Sequence, residues 1–178
     1  MPLSSEFVYP SLSTLNDSAE WLEITEETTP YADVLNHKGL LTDQLKLIAV
    51  NNLEVECISQ KYDGEGSFQR RDVAILVDQI PRVLASTIIP ADVLNNCPTL
   101  LTLGDNPIGE HLENTYAAIR SKPTIKTLAE SNKFNVNFND ADACCMRKYH
   151  YNIENDGITI VELFSSKVLS VLGEYKQA

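Results

Sequence analysis

Residues 70–90, RRDVAILVDQIPRVLASTIIP, decide the fold class, because two strand-like apolar runs sit on either side of a short Asp78–Pro81 turn. Just upstream, LEVECISQKY (53–62) alternates as a strand, and DGEGS (63–67) is a loop of turn-forming residues. The three runs read as an antiparallel meander. Strand side chains alternate between faces, so Arg71 shares a face with Val73, Ile75 and Val77. Near the other end, MRKYHYNI (146–153) and ITIVELF (158–164) read as a hairpin across ENDG, with the turn expected at Asp156–Gly157. There Glu162 shares a face with Ile158, Ile160 and Phe164. Both faces point inward. An arginine and a carboxylate buried alone cost several kcal/mol each, roughly. They either neutralise one another or hold a polar ligand inside the fold, and the plain alternative is a structural salt bridge.

The helices are read from periodicity. Leu41, Leu45 and Ile48 recur at helical spacing over 41–49, with Thr42 able to cap the turn. ADVLNN after Pro90 suggests a helical turn, and a short helix to about Arg120 follows GDNPIGEHL. Further helices are expected at Lys122–Lys133 and Lys167–Tyr175. The expected fold is α+β, one antiparallel sheet of five or six strands with helices on one face. It occupies a single domain over residues 1–178, in which residues 1–30 are a loosely packed N-terminal segment anchored by Trp21 and Leu22.

The formal charge of −11 over 178 residues argues against nucleic acid or an anionic membrane surface as a partner. An anionic small ligand would need a local positive pocket. No apolar run approaches the ~20 residues of a membrane span. MPLSSEFVYP lacks the basic and apolar regions of a secretory signal, so a cytoplasmic location is expected. Cys57, Cys97, Cys144 and Cys145 show no CxxC spacing, and His37, His111 and His150 are scattered. No metal site is expected.

Within GDNPIGEHL (104–112), Asn106 can cap a helix and Pro107 suits its first position. The first-turn amides then point outward unpaired, a group that binds carboxylate or phosphate.

Three blocks carry a resemblance: Arg71 to Pro90, with its arginine, acidic residue, two apolar strands and closing Thr87 and Pro90; LGDNPIGEHL (103–112); and the ELF of Glu162–Phe164. Their order resembles the chorismate pyruvate-lyases, also called 4-hydroxybenzoate synthases, with their algal and archaeal relatives. The resemblance implies an antiparallel sheet with the ligand enclosed behind helical lids. It implies that Arg71 binds a ligand carboxylate, that the backbone amides of Ile108 and Leu41 share that work, and that Glu162 contacts the ring hydroxyl. Arg71 and Glu162 are thereby the candidate catalytic residues.

The implied activity is a cofactor-independent carbon–oxygen lyase that eliminates pyruvate from chorismate to leave 4-hydroxybenzoate, a ubiquinone precursor. The partner is then a small aromatic or cyclohexadienyl carboxylate, and the oligomeric state stays open, a monomer included. One departure stands out: close relatives of the enterobacterial form carry a second strand arginine where this chain has Ser86, so either relatives with a small residue there bind differently, or Arg147 supplies the charge, or this chain no longer turns over chorismate. The alternative is a non-catalytic module for small aromatic acids, related to the effector-sensing domains of GntR-type regulators.

Overall fold

The computed structural model describes residues 21–127, 138, 142–153 and 156–177. Strand β1 is Leu22–Glu23; helices α1 (Ala32–Leu35) and α2 (Leu41–Lys46) follow. The meander is β2 (Leu53–Tyr62), β3 (Phe68–Val77) and β4 (Ile80–Pro90). Helix α3 (Ala91–Asn96), a 3-10 turn at Pro98–Thr102 and helix α4 (Ile108–Tyr116) lead to β5 (Ile119–Arg120) and β6 (Thr124–Thr127). The chain closes with β7 (Ala143–Ile153), β8 (Asp156–Ser165) and α5 (Ser166–Gln177).

Among the described residues all strand pairs are antiparallel, and eight strands make one sheet in the order β1-β6-β7-β8-β4-β3-β2, with β5 also on β7. The α+β architecture is as expected, but the sheet has eight strands rather than five or six. The additional strands, β1, β5 and β6, are two to four residues long. They are too short to show alternation and are fixed by pairing rather than by their own pattern. For the same reason the helix expected at Lys122–Lys133 gives way to β6, whose Thr124–Thr127 pair with Cys145–Lys148; residues 128–133 lie outside the described residues.

The β3–β4 turn tightens onto Asp78 and Gln79, both at positive φ (51° and 68°), the primed geometry that matches strand twist. The Asp78 carboxylate accepts the backbone N–H groups of Val50, Asn51 and Asn52 at 3.0, 2.7 and 3.1 Å, tying the turn to the entry of β2. The β7–β8 turn lies earlier than expected. Ile153 pairs with Asp156 and Asn152 with Gly157, so the Asp-Gly step belongs to β8 and the connection falls on residues 154 and 155, outside the described residues.

Helices cover one face. Two apolar clusters lie between them and the sheet: one joins Leu35, Leu41, Leu45, Val168 and Leu172 to Ile75, Val83 and Phe164, and the other joins Val93, Leu94, Ile108 and Leu112 to Ile158 and Ile160. The reverse face packs Ala74, Leu76, Leu84, Met146, Val161 and Leu163 against Phe138 and Trp21. Of the segment expected to pack loosely, residues 1–20 lie outside the described residues, while Leu22–Glu23 pair with β6 and Ile24 and Thr29 are buried.

Candidate functional site

Arg71 and Glu162 both face the helix-covered side and line one cavity, together with Leu41 and Ile108. Its open space is about 50 Å³. Val73, Ile75, Ala85 and Ile160 form its apolar floor, and Leu40, Leu41 and Thr42 its roof.

The two charges do not neutralise one another. Arg71 pairs across the ladder with Thr87, and Glu162 with Ala85. They stand on strands separated by β4, about 10 Å apart across the sheet and about 7 Å along it. Arg71 is 1% exposed, and its Nη2 donates to the carbonyls of Gly104 and Asn106 at 2.9 and 3.0 Å. Its Nε is buried without an acceptor, and among the described residues no carboxylate forms an ion pair with it. Burial lowers the Arg71 pKa, opposed by Cys57 and Asp105. An arginine stays protonated at neutral pH regardless.

Glu162 has partners of its own. Arg147 sits directly opposite it on β7, and its Nε donates to Glu162 Oε2 at 2.7 Å. Nη2 of Arg147 is also 2.7 Å from that oxygen but off the hydrogen-bond line. The Tyr149 hydroxyl donates to Oε1 at 2.8 Å, and Arg147 Nη1 donates to the Leu35 carbonyl at 2.9 Å. Burial lowers the Arg147 pKa, but the neighbouring carboxylate outweighs it and the balance is upward. Burial first, then the charge of Glu162, pushes the Tyr149 phenol well above its ordinary value. Arg147 lies outside the cavity lining, so its charge is spent on Glu162 rather than on the space beside Arg71.

Ser86 is not a cavity position. It pairs with Asp72 and Val161, residues of the reverse face, and its hydroxyl is buried there without a partner. Ala85 and Thr87 are the β4 residues that reach the ligand side.

Two helix starts border the cavity. Helix α4 begins at Ile108 after Pro107, with no side chain capping it. Pro107 occupies the cap itself rather than the first helical position. Asn106 gives up capping because its Nδ2 donates to the Leu103 carbonyl at 2.7 Å. The first-turn amides of Ile108, Gly109 and Glu110 have no acceptor inside the helix, and these residues line the cavity. Gly109 permits the approach: a Cβ there would come within 3.2 Å of Leu40 Cδ2 and 3.3 Å of the Tyr151 hydroxyl. Helix α2 begins at Leu41 after Leu40, also without a side-chain cap; Thr42 is inside the helix and buried, so it does not cap.

Sequence reasoning missed Arg120, Tyr149 and Tyr151. Arg120 pairs with Tyr151 in β5, lines the cavity, and donates to the carbonyls of His37, Lys38 and Gly39, pinning the chain that leads into the roof. Its guanidinium lies 5.4 Å from the centre of the Tyr149 ring, and Arg147 stands at the same distance from that ring. The Tyr151 hydroxyl donates to Glu113 at 2.6 Å. Both tyrosines lie on the buried face of β7, with His150 between them exposed on the other. Arg120 left no signal, because a two-residue strand has no periodicity to read.

Comparison with known proteins adds relatives matched over about half of their length. The chain is 32% identical over 104 residues to a probable chorismate pyruvate-lyase of Shewanella amazonensis, covering 53% of this chain and 54% of that protein. It is 32% identical over 93 residues to a second, from Shewanella sp. strain W3-18-1, covering 47% and 50%. The chain resembles the chorismate pyruvate-lyases. It spans about half the length of the curated relatives it matches. No family model matches it. Among solved structures, a GntR-family transcriptional regulator from Bacillus cereus aligns with a TM-score of 0.44 at 9% identity, over 66% of this chain and 94% of that one. Among the described residues no helix is long and apolar enough to cross a membrane, and no cluster of three or more metal-ligating side chains occurs.

Proposed function

We propose that this chain binds a small aromatic or cyclohexadienyl carboxylate in the Arg71 cavity and eliminates pyruvate from chorismate, leaving 4-hydroxybenzoate. The observation that carries the reading is Arg71 itself: a buried guanidinium that forms no ion pair with a carboxylate among the described residues and has an unsatisfied Nε, beside the uncapped start of α4 at Ile108. Buried donors of this kind are rare without an acceptor, and a ligand carboxylate is the acceptor that fits. Leu41, whose amide starts α2, is the second backbone donor. The similarity to probable chorismate pyruvate-lyases supports the same substrate class.

The reaction balances without an added group. The ring carbon bearing the hydroxyl loses its proton and the ether C–O bond breaks. The bonding pair leaves with enolpyruvate, which becomes pyruvate, and the ring becomes aromatic. The protein's share is to orient the dianion and meet charge as it develops on the departing oxygen. Arg71 and the amides hold carboxylate. Glu162, which accepts hydrogen bonds from Arg147 and Tyr149, is the candidate acceptor for the ring hydroxyl, and Tyr149, whose phenol keeps its proton, is a neutral donor beside it.

One observation favours the non-catalytic alternative, a module that holds the aromatic acid without turnover. Both Glu162 oxygens already accept hydrogen bonds from Arg147 and Tyr149, so this carboxylate is engaged by the protein itself.

The test is purified protein with chorismate, following 4-hydroxybenzoate and pyruvate by chromatography, and calorimetry with 4-hydroxybenzoate. Equimolar release of both products is expected, lost in Arg71→Ala. In that variant 4-hydroxybenzoate should bind about 10- to 100-fold more weakly, the loss of a charge-assisted contact. Absence of products with Arg71-dependent binding would replace the lyase with the module; absence of both would remove the site.

A further inference from the structure

We infer that Cys144 and Cys145 form a two-thiol site that captures a soft, thiophilic centre of the trivalent organoarsenical class. The carrier is a bulge in β7. Ala143 pairs with Ser165 and Cys145 with Phe164, so Cys144 is an extra residue in the strand. A bulge of this kind sets two residues against one on the partner strand and interrupts the alternation. Both cysteines accordingly pack on the same apolar cluster beneath α5, Cys145 buried and Cys144 half-buried. Shared packing on one side of the strand sets the two thiols side by side, and their interaction lowers the Cys144 pKa and raises that of Cys145. Adjacent cysteines in a regular strand would point to opposite faces and could not do this.

The pair is better suited to chelation than to oxidation. Neighbouring α-carbons across a trans peptide are about 3.8 Å apart, below the roughly 4.4–6.8 Å that an unstrained disulfide spans. A disulfide here would be strained and easily reduced, so the two sulfurs persist as thiols. An arsenic(III) centre with two hydroxyls relieves the constraint, because the metalloid lies between the sulfurs and widens the ring. Two As–S bonds form and two As–O bonds break. The two thiol protons leave with the hydroxyls as water, and no electron changes hands. Cys144 attacks first: the hydrogen bond from Cys145 brings its thiol to about 7, so much of it is thiolate at neutral pH. Cys145, whose thiol is pushed up by the same contact and by burial, closes the ring as an intramolecular step.

The test uses the full chain and phenylarsine oxide. All four cysteines are free, so titratable thiols should fall from four to two at one arsenic per chain, with a single adduct by intact mass. A dithiol should reverse it and an equal excess of monothiol should not. The Cys57→Ser/Cys97→Ser variant should keep the adduct and Cys144→Ser should lose it, each checked for an unchanged circular dichroism spectrum. An adduct that survives in Cys144→Ser, a loss of one thiol per arsenic, or reversal by monothiol would overturn the site.

Discussion

Glu162 shows why a buried charge must be read with its partners. Its carboxylate meets Arg147 and Tyr149, and all three are buried. Replacing Glu162 by Gln keeps the shape but leaves the Arg147 guanidinium uncompensated, a loss of about 3–5 kcal/mol. Urea unfolding measures it. The Glu162→Gln/Arg147→Met double variant should recover most of that loss, and a double that stays as unstable as the single would show that Arg147 is not the cause. Alternation alone made Arg71 and Glu162 visible, because each interrupts an apolar face. The partnership of Glu162 was not visible, because it depends on register. A turn at Asp156–Gly157 would have set Tyr151 opposite Glu162, whereas the observed register sets Arg147 there. Ser86 illustrates the same limit one strand away, since one residue along β4 exchanges the ligand side for the reverse face.

Elements differ in how much of their placement they carry in their own residues. The turn between β3 and β4 carries much of it in Asp78, whose pKa is lowered by the three backbone N–H groups it accepts from Val50, Asn51 and Asn52. A folded-state pKa below the unfolded value of 3.8 means that the unfolded chain takes up protons first on acidification. The contribution is therefore present above about pH 4 and is lost as pH falls through the folded value. Asp78→Ala should lower Tm by roughly 2–4 °C at pH 7 and by less near pH 3, read by thermal melts at both. An equal drop at both would mean the carboxylate charge plays no part. Strands β2, β3 and β4 were legible to within a residue or two, since ten-residue alternation and turn residues agree. Helix α4 was overrun by four residues because its end is set by Ala117 in the left-handed region (φ 50°), a conformation that alanine does not advertise.

At the scale of the whole molecule, the roof is held by groups far apart in sequence. Arg120, in β5, grips the carbonyls of residues 37–39, and His37 lies beside it. Burial first, then the positive charges of Lys176, Arg120 and Arg147, lowers the His37 pKa below 6.5, with Asp43 acting the other way. The folded roof thus prefers neutral His37. Its contribution is present above about pH 6.5 and is lost as pH falls through the folded value. Dissociation of 4-hydroxybenzoate, followed by stopped flow, should accelerate on acidification below about pH 6.5, and His37→Gln should flatten that profile. An unchanged slope in the variant would remove His37 from the roof's titration.

The grip of Arg120 on three successive carbonyls also bears on time. Were a molecule beneath Leu40–Thr42 to exchange with solvent only when that side chain releases the backbone, its dwell would be set by the protein's own breathing rather than by the tightness of the contacts inside. Two acids of unequal affinity would then depart at nearly the same rate and differ chiefly in how often they enter.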